Sequence, residues 1–186
     1  MNCVEPIRDR EKLEELKEEL KKKGTRDYLM FLTGINSGMR VSDIVKLNRD
    51  DIRNVDNSMK DYITIVEKKT NKIKKFPLCN NLREEMERYT KYMNKGEYLF
   101  KSRKGINKPI TTTQAYRIIV NGGINIGITN IGTHTMRKSF GYHHYQQFKD
   151  VALLQEIFNH SAPSITLRYI GINQDNIDLG YKNFSL

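Results

Sequence analysis

A histidine and an arginine stand three residues apart in the segment THTMRKSF, as His134 and Arg137. Residues at this spacing lie on one face of an α-helix, so both side chains are expected to point the same way. Imidazolium and guanidinium groups both bind phosphate oxygens. Further along, FNHSAPSITLRYIGI carries His160 and Tyr169 nine positions apart, and a tyrosine hydroxyl can act as a nucleophile once it is activated. An HxxR pair alone is common, so its meaning depends on the residues that accompany it.

The charge of the chain favours a polyanionic partner. Its 186 residues include 32 Lys and Arg against 22 Asp and Glu, which gives a formal net charge of +10. Such an excess of cations can neutralise phosphate groups, so nucleic acid is the favoured partner and an anionic membrane surface the second choice. The length fits one domain that buries its own core.

The cysteine usage and the N-terminal sequence indicate a cytoplasmic protein. Cys3 and Cys79 have no CxxC spacing, and they are too few for a disulfide scaffold or a four-ligand metal site. The sequence has no apolar run of membrane-spanning length, and its start is charged where a signal peptide requires an apolar segment. No DxD, HExxH or Gly-rich phosphate loop is present, so we predict no cofactor.

The apolar periodicity predicts a mostly α fold with a small antiparallel β-sheet, an α+β class. DREKLEELKEELKKKG predicts an amphipathic helix that ends at Gly24, and TRDYLMFLTGINSGMRVSDIVKL predicts two helices broken at NSG, with Arg40 beside a helix N-terminus. DYITIVEKKTNKIKKFPL shows β-branched alternation on both sides of KKTNK, which predicts a β-hairpin with a lysine-rich tip. EYLF predicts a short strand, and the periodicity is helical from Thr111 onwards.

Four segments of the chain resemble, in the same order, the characteristic segments of the catalytic domain of tyrosine recombinases, also called the phage integrase family. They are TGINSGMRVSDIVKL, EKKTNKIKKFPL, THTMRKSFGYHHY and LLQEIFNHSAPSITLRYI. Each segment alone is a weak signal, but four in this order form a strong one. The resemblance implies the fold of these DNA breaking-rejoining enzymes. We therefore expect an N-terminal helical extension at 1–24, a catalytic domain at 25–172 and a C-terminal tail helix at 173–186.

The resemblance also implies which residues form the active site. Tyr169 becomes the nucleophile, and Asp43 becomes the acidic residue that lies behind the first arginine and near the HxxR histidine. Lys68 and Lys72 are close enough to Lys69 in sequence to leave the choice of the hairpin lysine open. The implied catalytic set is Arg40, Lys69, His134, Arg137, His160 and Tyr169. Contacts with the DNA backbone are predicted for Lys68, Lys72, Arg103, Lys104 and Lys108.

These residue types suit the chemistry of a phosphodiester. The phosphate gains negative charge as it becomes pentacoordinate, so fixed cations and donors must surround its non-bridging oxygens, a task that suits Arg40, Arg137 and His160. A phenol with a pKa of about 10 needs a base or cationic surroundings, and His134 is the candidate base. The departing 5′ oxygen needs a proton, for which Lys69 is the candidate donor because neighbouring cations lower an amine pKa.

The resemblance implies a site-specific DNA recombinase or integrase of a phage or mobile element. Attack by Tyr169 would form a 3′-phosphotyrosyl intermediate that conserves the energy of the bond, so neither a metal nor ATP is required. Expected partners are double-stranded DNA and further copies of the chain, as a tetramer on DNA assembled through the C-terminal tail, with no membrane contact. Two alternatives are a type IB topoisomerase-like enzyme that relaxes DNA and a catalytically silent DNA-binding accessory factor.

Overall fold

The computed structural model describes residues 4–66, 73–172, 179 and 181–184. Its first two α-helices are separated by one glycine. The first, α1 (Arg10–Lys23), ends at Gly24 as the sequence predicts. Its leucines, Leu13, Leu16 and Leu20, are buried in the main hydrophobic core together with most of α2 (Thr25–Ser37). A separate extension that ends at residue 24 stays a prediction.

The break after α2 places Arg40 at the start of a helix. Gly38 ends α2 in the left-handed conformation, with φ at 63°, and its N–H donates to the Gly34 carbonyl. This conformation costs little for glycine, which has no Cβ. Arg40 is then the N-cap residue of the short helix α3 (Val41–Ile44), as predicted. A second short helix, α4 (Arg49–Ile52), follows.

The predicted β-hairpin is present. Strands β1 (Tyr62–Val66) and β2 (Ile73–Pro77) pair in antiparallel register, with Ile63 opposite Phe76, and both of these side chains are buried. The tip of the hairpin, with Lys68, Lys69 and Lys72, lies outside the described residues. Helix α5 (Asn80–Thr90) follows β2.

The segment EYLF does not form the predicted strand. Tyr98 makes an isolated bridge with Asn48, and the next two residues bond to different parts of the chain. The Leu99 N–H donates to Leu47, whereas the Phe100 carbonyl accepts from Ile110. Because successive residues change partner, no continuous ladder with one neighbouring strand can form.

The second half of the described chain is helical, as its periodicity predicts. The Thr111 hydroxyl and the Asp150 carboxylate cap two of these helices by accepting backbone N–H groups. The four helices are α6 (Thr112–Asn125), α7 (Thr133–Phe148), α8 (Val151–Phe158) and α9 (Pro163–Ile170). The mostly helical fold class with one small antiparallel sheet is confirmed.

Two apolar clusters hold these elements together. The main cluster joins α1 and α2 to the hairpin and to α5, α6 and the start of α7. A smaller second cluster of Leu154, Phe158, Ile170 and Ile172 holds α8 and α9 against α7. Among the described residues, no helix has the length and apolar character needed to cross a membrane. The predicted tail helix at 173–186 falls mostly outside the described residues.

Candidate active site

The two residues of the HxxR pair, near the start of α7, lie at different depths in the fold. The Gly132 N–H donates to the Thr135 hydroxyl at 3.0 Å and fixes the start of this helix. His134 follows at the rim and remains exposed to solvent, whereas Arg137 is buried, with 4% of its surface exposed. The pair therefore presents one group at the surface and one within the fold.

Arg137 is held by the ends of two other helices. Its guanidinium donates to the carbonyl of Gly38 at the end of α2, and also to the carbonyl of Phe158 at 2.9 Å. The guanidinium carbon lies 4.3 Å from the centroid of the Phe158 ring, a cation–π contact. These contacts fix a buried cation in place, and they use a planar fork of donors that lysine lacks.

Tyr169 meets this pair from α9. Its hydroxyl lies 3.1 Å from His134 Nδ1, and its ring makes edge contacts with the rings of Phe158 and His160. The ammonium group of Lys138 lies 5.4 Å from the centroid of the Tyr169 ring. The tyrosine is half-buried, with its hydroxyl in direct hydrogen-bond contact with the histidine of the HxxR pair.

Burial and neighbouring charges set the protonation states of Tyr169 and His134. Burial raises the pKa of Tyr169, although the charges of Arg137 and Arg40 and a hydrogen bond from Arg137 act in the opposite direction. Partial burial lowers the pKa of His134, and the neighbouring Lys138, Arg137 and Arg40 lower it further. At neutral pH the imidazole is therefore uncharged and able to accept a proton from the phenol.

His160 is oriented by a turn and by α9. The preceding Asn159 ends α8 in the left-handed conformation, which asparagine tolerates better than most residues, and the His160 N–H donates to the Gln155 carbonyl. The Nδ1 atom of His160 lies 3.1 Å from the Thr166 hydroxyl, one helical turn before Tyr169. Burial, followed by the charges of Arg137, Arg40 and Lys74, lowers the pKa of His160.

Arg40 reaches the same site from the start of α3. It is half-buried, and its charge acts on the pKa of His134, His160 and Tyr169. Asp43 is buried one turn later, where its N–H donates to the Arg40 carbonyl and its carboxylate accepts from Ser42 at 3.5 Å. Its predicted place behind the arginine stays a prediction.

The structure thus brings five of the six predicted catalytic residues to one site. They are Arg40, His134, Arg137, His160 and Tyr169. The sixth, Lys69, lies outside the described residues, as do Lys68 and Lys72. The other predicted phosphate-binding residues, Arg103, Lys104 and Lys108, are exposed on the loop between Phe100 and Ile110.

Besides Lys138, whose ammonium group lies near the Tyr169 ring, three further residues contact the site without having been predicted from the sequence. Phe158 contacts Arg137, His160 and Tyr169 through its ring, and Thr166 orients His160. Lys74, in β2, donates to the Ile157 carbonyl at 2.7 Å and so ties the hairpin to the end of α8. A threonine three residues before the tyrosine on one helix face was the available signal for Thr166, whereas nothing in the sequence distinguishes Phe158 from an ordinary core residue.

Among the described residues, no three His, Cys, Asp or Glu side chains come together in an arrangement that can hold a metal ion. The groups that meet at Tyr169 are instead cations and neutral imidazoles. Such a set offers hydrogen bonds and positive charge to an anion, together with one activatable nucleophile.

Comparisons with known proteins define the class. The sequence profile of the phage integrase family matches residues 8–176, so the chain belongs to that family. Its fold is that of a tyrosine recombinase catalytic domain, since it matches the XerH site-specific recombinase bound to palindromic difH substrate with a TM-score of 0.72 at 21% identity. A complex of the Tn1549 transposon integrase with transposon right end DNA matches with a TM-score of 0.64 at 17% identity.

Among individual relatives, the probable integrase/recombinase YoeC of Bacillus subtilis is 48% identical over 184 residues, which cover 99% of this chain and 98% of YoeC. The structural matches cover 98% and 88% of this chain, but the chain spans just 54% of the XerH chain and 60% of the Tn1549 integrase chain. The chain is an enzyme of the tyrosine recombinase class, as its sequence resemblance predicts.

Proposed function

We propose that this chain is a site-specific DNA recombinase that cleaves and rejoins DNA through a 3′-phosphotyrosyl intermediate on Tyr169. The observation that carries the proposal is the 3.1 Å contact between the Tyr169 hydroxyl and His134 Nδ1, next to the buried cation of Arg137. The contact lies within the reach of direct proton transfer to a general base. The lowered pKa of His134 keeps that base uncharged at neutral pH.

In the proposed cleavage step, Tyr169, His134 and Lys69 account for every bond that changes and every proton that moves. Tyr169 Oη attacks the scissile phosphorus and passes its proton to His134, while the bond from phosphorus to the 5′ oxygen breaks. The products are a phosphotyrosyl link to the 3′ side and a 5′ hydroxyl that needs one proton. Lys69 is the proposed donor of that proton. A 5′ hydroxyl of another strand reverses the step, which joins the strands in a new order.

Arg40, Arg137 and His160 are proposed to stabilise the charge that develops on the non-bridging oxygens. The support is that all three lie near the nucleophile and that Arg137 is fixed by two carbonyls before any substrate arrives. A donor that is already in place costs no reorganisation during the reaction. Because these groups and the tyrosine suffice for the proposed chemistry, we expect it to proceed without metal or ATP.

Double-stranded DNA is the proposed substrate. The net charge of +10 suits a phosphate backbone, and the structural neighbours include XerH bound to difH substrate and the Tn1549 integrase in complex with transposon right end DNA. The exposed residues Arg103, Lys104 and Lys108 are proposed to bind the backbone, as are Lys68 and Lys72 of the hairpin. Such contacts position the protein without reading the base sequence.

A recombination assay tests the proposed function. A plasmid that carries two copies of the DNA flanking the gene is incubated with the protein in the presence of EDTA, and the products are separated on a gel. We expect exchange between the two copies with wild-type protein and none with Tyr169→Phe. Relaxation of any plasmid without exchange would instead indicate a topoisomerase-like enzyme, and binding without either product an accessory factor.

The C-terminal tail is proposed to dock on a neighbouring copy of the chain and to support assembly of a tetramer on DNA. Its described apolar side chains are largely exposed, with 56% of Leu179 and 70% of Phe184 accessible to solvent. Burial of such side chains by a partner would stabilise the assembly.

Truncation after Ile172 tests the role of the tail, because it keeps the second apolar cluster, to which Ile172 belongs. We expect an unchanged fold and smaller assemblies on DNA by sedimentation. A truncated chain that assembles and recombines like wild type would show that the tail has no such role.

A further inference from the structure

The N-terminal residues Val4–Arg8, here called the N-terminal strap, are bound along α7 before α1 begins. The Glu5 N–H donates to the Asn130 carbonyl at 3.0 Å, just before this helix. The Ile7 N–H donates to the buried Ser139 hydroxyl at 2.8 Å, and the Ile7 carbonyl lies 2.9 Å from the Nε2 atom of His143. The strap is therefore fixed on the helix that carries His134 and Arg137.

Arg8, the last residue of the strap, lies between α7 and the end of α9. Its guanidinium is 5.5 Å from the centroid of the Tyr142 ring on α7, and it pairs with Glu5 at 3.2 Å. On the other side it faces Gly171, the residue that ends α9. A Cβ atom placed on Gly171 would lie 2.5 Å from Arg8 Nη2 and 3.6 Å from Glu5 Oε2.

The position of Gly171 explains why this contact can influence the nucleophile. Gly171 adopts φ of 81° and closes the last turn of α9, two residues after Tyr169. A cation beside the C-terminal end of a helix is favourable, since the helix dipole places partial negative charge there. Ile170 is buried against Gly141 of α7, so Arg8 lies where the end of α9 meets α7.

We propose that Arg8 is a positioning residue for Tyr169, a role that rests on the proposed function of this tyrosine. Arg8 and Glu5 fix the C-terminal end of α9 on α7, and this fixes the Tyr169 hydroxyl at hydrogen-bond distance from His134. A misplacement of about 1 Å at a reacting atom can reduce a rate by about 100-fold. The strap therefore acts on cleavage without contact to the substrate.

Hydrogen exchange on the protein alone tests the physical part of this proposal, independently of any DNA chemistry. Arg8→Ala is compared with wild type and with Arg10→Ala, which removes an exposed cation two residues away. We expect faster exchange in peptides from α9 in Arg8→Ala, with α1 unchanged, and wild-type exchange throughout in Arg10→Ala. Equal exchange of α9 in Arg8→Ala and wild type would overturn the proposal whether or not the protein cleaves DNA.

Single-turnover cleavage tests the catalytic part, at saturating DNA and at a temperature where every variant is folded by circular dichroism. We expect Arg8→Ala to slow formation of the covalent adduct by about 10- to 100-fold with DNA affinity unchanged. Arg8→Lys should recover part of the rate, because it keeps a positive charge at the end of α9. A wild-type rate in Arg8→Ala, or a loss explained by weaker DNA binding, would overturn the positioning role. A wild type without adduct would contradict the proposed function instead.

Discussion

At Tyr169, burial and charge act in opposite directions on the same phenol. Burial raises its pKa, while Arg137 and Arg40 lower it, and the net effect is an increase. The resting phenol therefore stays protonated at neutral pH, and the proposed attack by Tyr169 requires a base. The proposed base is the neutral imidazole of His134, whose Nδ1 atom lies 3.1 Å from the hydroxyl. The proposed attack therefore relies on proton transfer from Tyr169 to His134, and not on a phenolate that has already formed.

The substitution His134→Gln tests this division of roles. Glutamine keeps a hydrogen-bonding group but accepts no proton, so we expect single-turnover cleavage to fall by about 10²- to 10⁴-fold. On the acid side, the wild-type rate should decline as His134 is protonated, below the ordinary imidazole pKa of about 6.5, because the pKa in the folded protein is lowered. In His134→Gln this acid limb should disappear, and the residual rate should rise towards high pH as free phenolate forms.

The measurement is the pH dependence of adduct formation between about pH 5 and pH 9, a range that spans the usual imidazole pKa and approaches that of the phenol. His144→Gln is the control, because His144 lies on the same helix, ten residues from His134, and its ring packs at a tilt against Phe140 and Phe148. Wild-type rates and an unchanged acid limb in His134→Gln would show that the histidine is not the base.

At the scale of elements, the ends of two helices hold Arg137, a central cation of the proposed anion site. The end of α2 supplies the Gly38 carbonyl, the end of α8 supplies the Phe158 carbonyl, and both accept from Arg137 on α7. Gly38 has no room for a side chain, since an added Cβ would lie 2.5 Å from the Phe140 ring. The backbone conformation of this turn therefore fixes the position of Arg137, which is proposed to be a catalytic cation.

Gly38→Ala is expected to reduce both stability and cleavage. The left-handed conformation costs a residue with a Cβ roughly 1–2 kcal/mol, and the contact with Phe140 adds to this cost. Movement of the Gly38 carbonyl should also displace Arg137 and slow adduct formation in the fraction that stays folded. Urea unfolding and single-turnover cleavage are the two measurements.

Gly96→Ala is the matched control, because Gly96 has a similar φ of 70° but open space where the Cβ would be. It should lose stability through backbone strain alone and cleave like wild type. If the two variants showed the same loss of stability and the same normal cleavage rate, the turn at Gly38 would not position Arg137.

The sequence predicted the elements that depend on local pattern. The leucine spacing defines α1, the glycine in NSG ends α2, and the alternation beside the lysines gives the hairpin. The prediction of a strand at EYLF was wrong because the residues that bond to this segment lie in two separate parts of the chain, which no local pattern encodes. The hydrogen bond from Arg137 to the Gly38 carbonyl joins residues 99 positions apart in the sequence, so it too depends on the tertiary fold. Resemblance to a family, rather than periodicity, selected the six candidate catalytic residues, and the described structure brings five of them together.

For the whole molecule, the four histidines predict how stability depends on pH. Burial is the largest cause that lowers the pKa of His134, His143, His144 and His160. The unfolded chain therefore binds more protons than the folded chain as pH falls below the unfolded pKa of about 6.5. The free energy of unfolding should decrease from neutral pH towards about pH 5, above the range in which ordinary carboxylates titrate.

Urea unfolding midpoints at several pH values in this window measure the effect. His144→Gln should flatten the dependence, because its imidazole is one of the groups that must stay neutral in the folded chain. A midpoint that is constant or rises on acidification would contradict the predicted linkage.

The most direct test of the central claim is the chemical identity of a trapped covalent adduct. The protein is incubated with nicked duplexes that prevent rejoining, and the product is digested and analysed by mass spectrometry, with Tyr169→Phe as the control. We predict a nucleotide joined through its 3′ phosphate to the peptide that contains Tyr169, and no adduct in the variant. An adduct on another residue, a link through a 5′ phosphate, or equal adduct formation by Tyr169→Phe would contradict the claim that Tyr169 is the nucleophile.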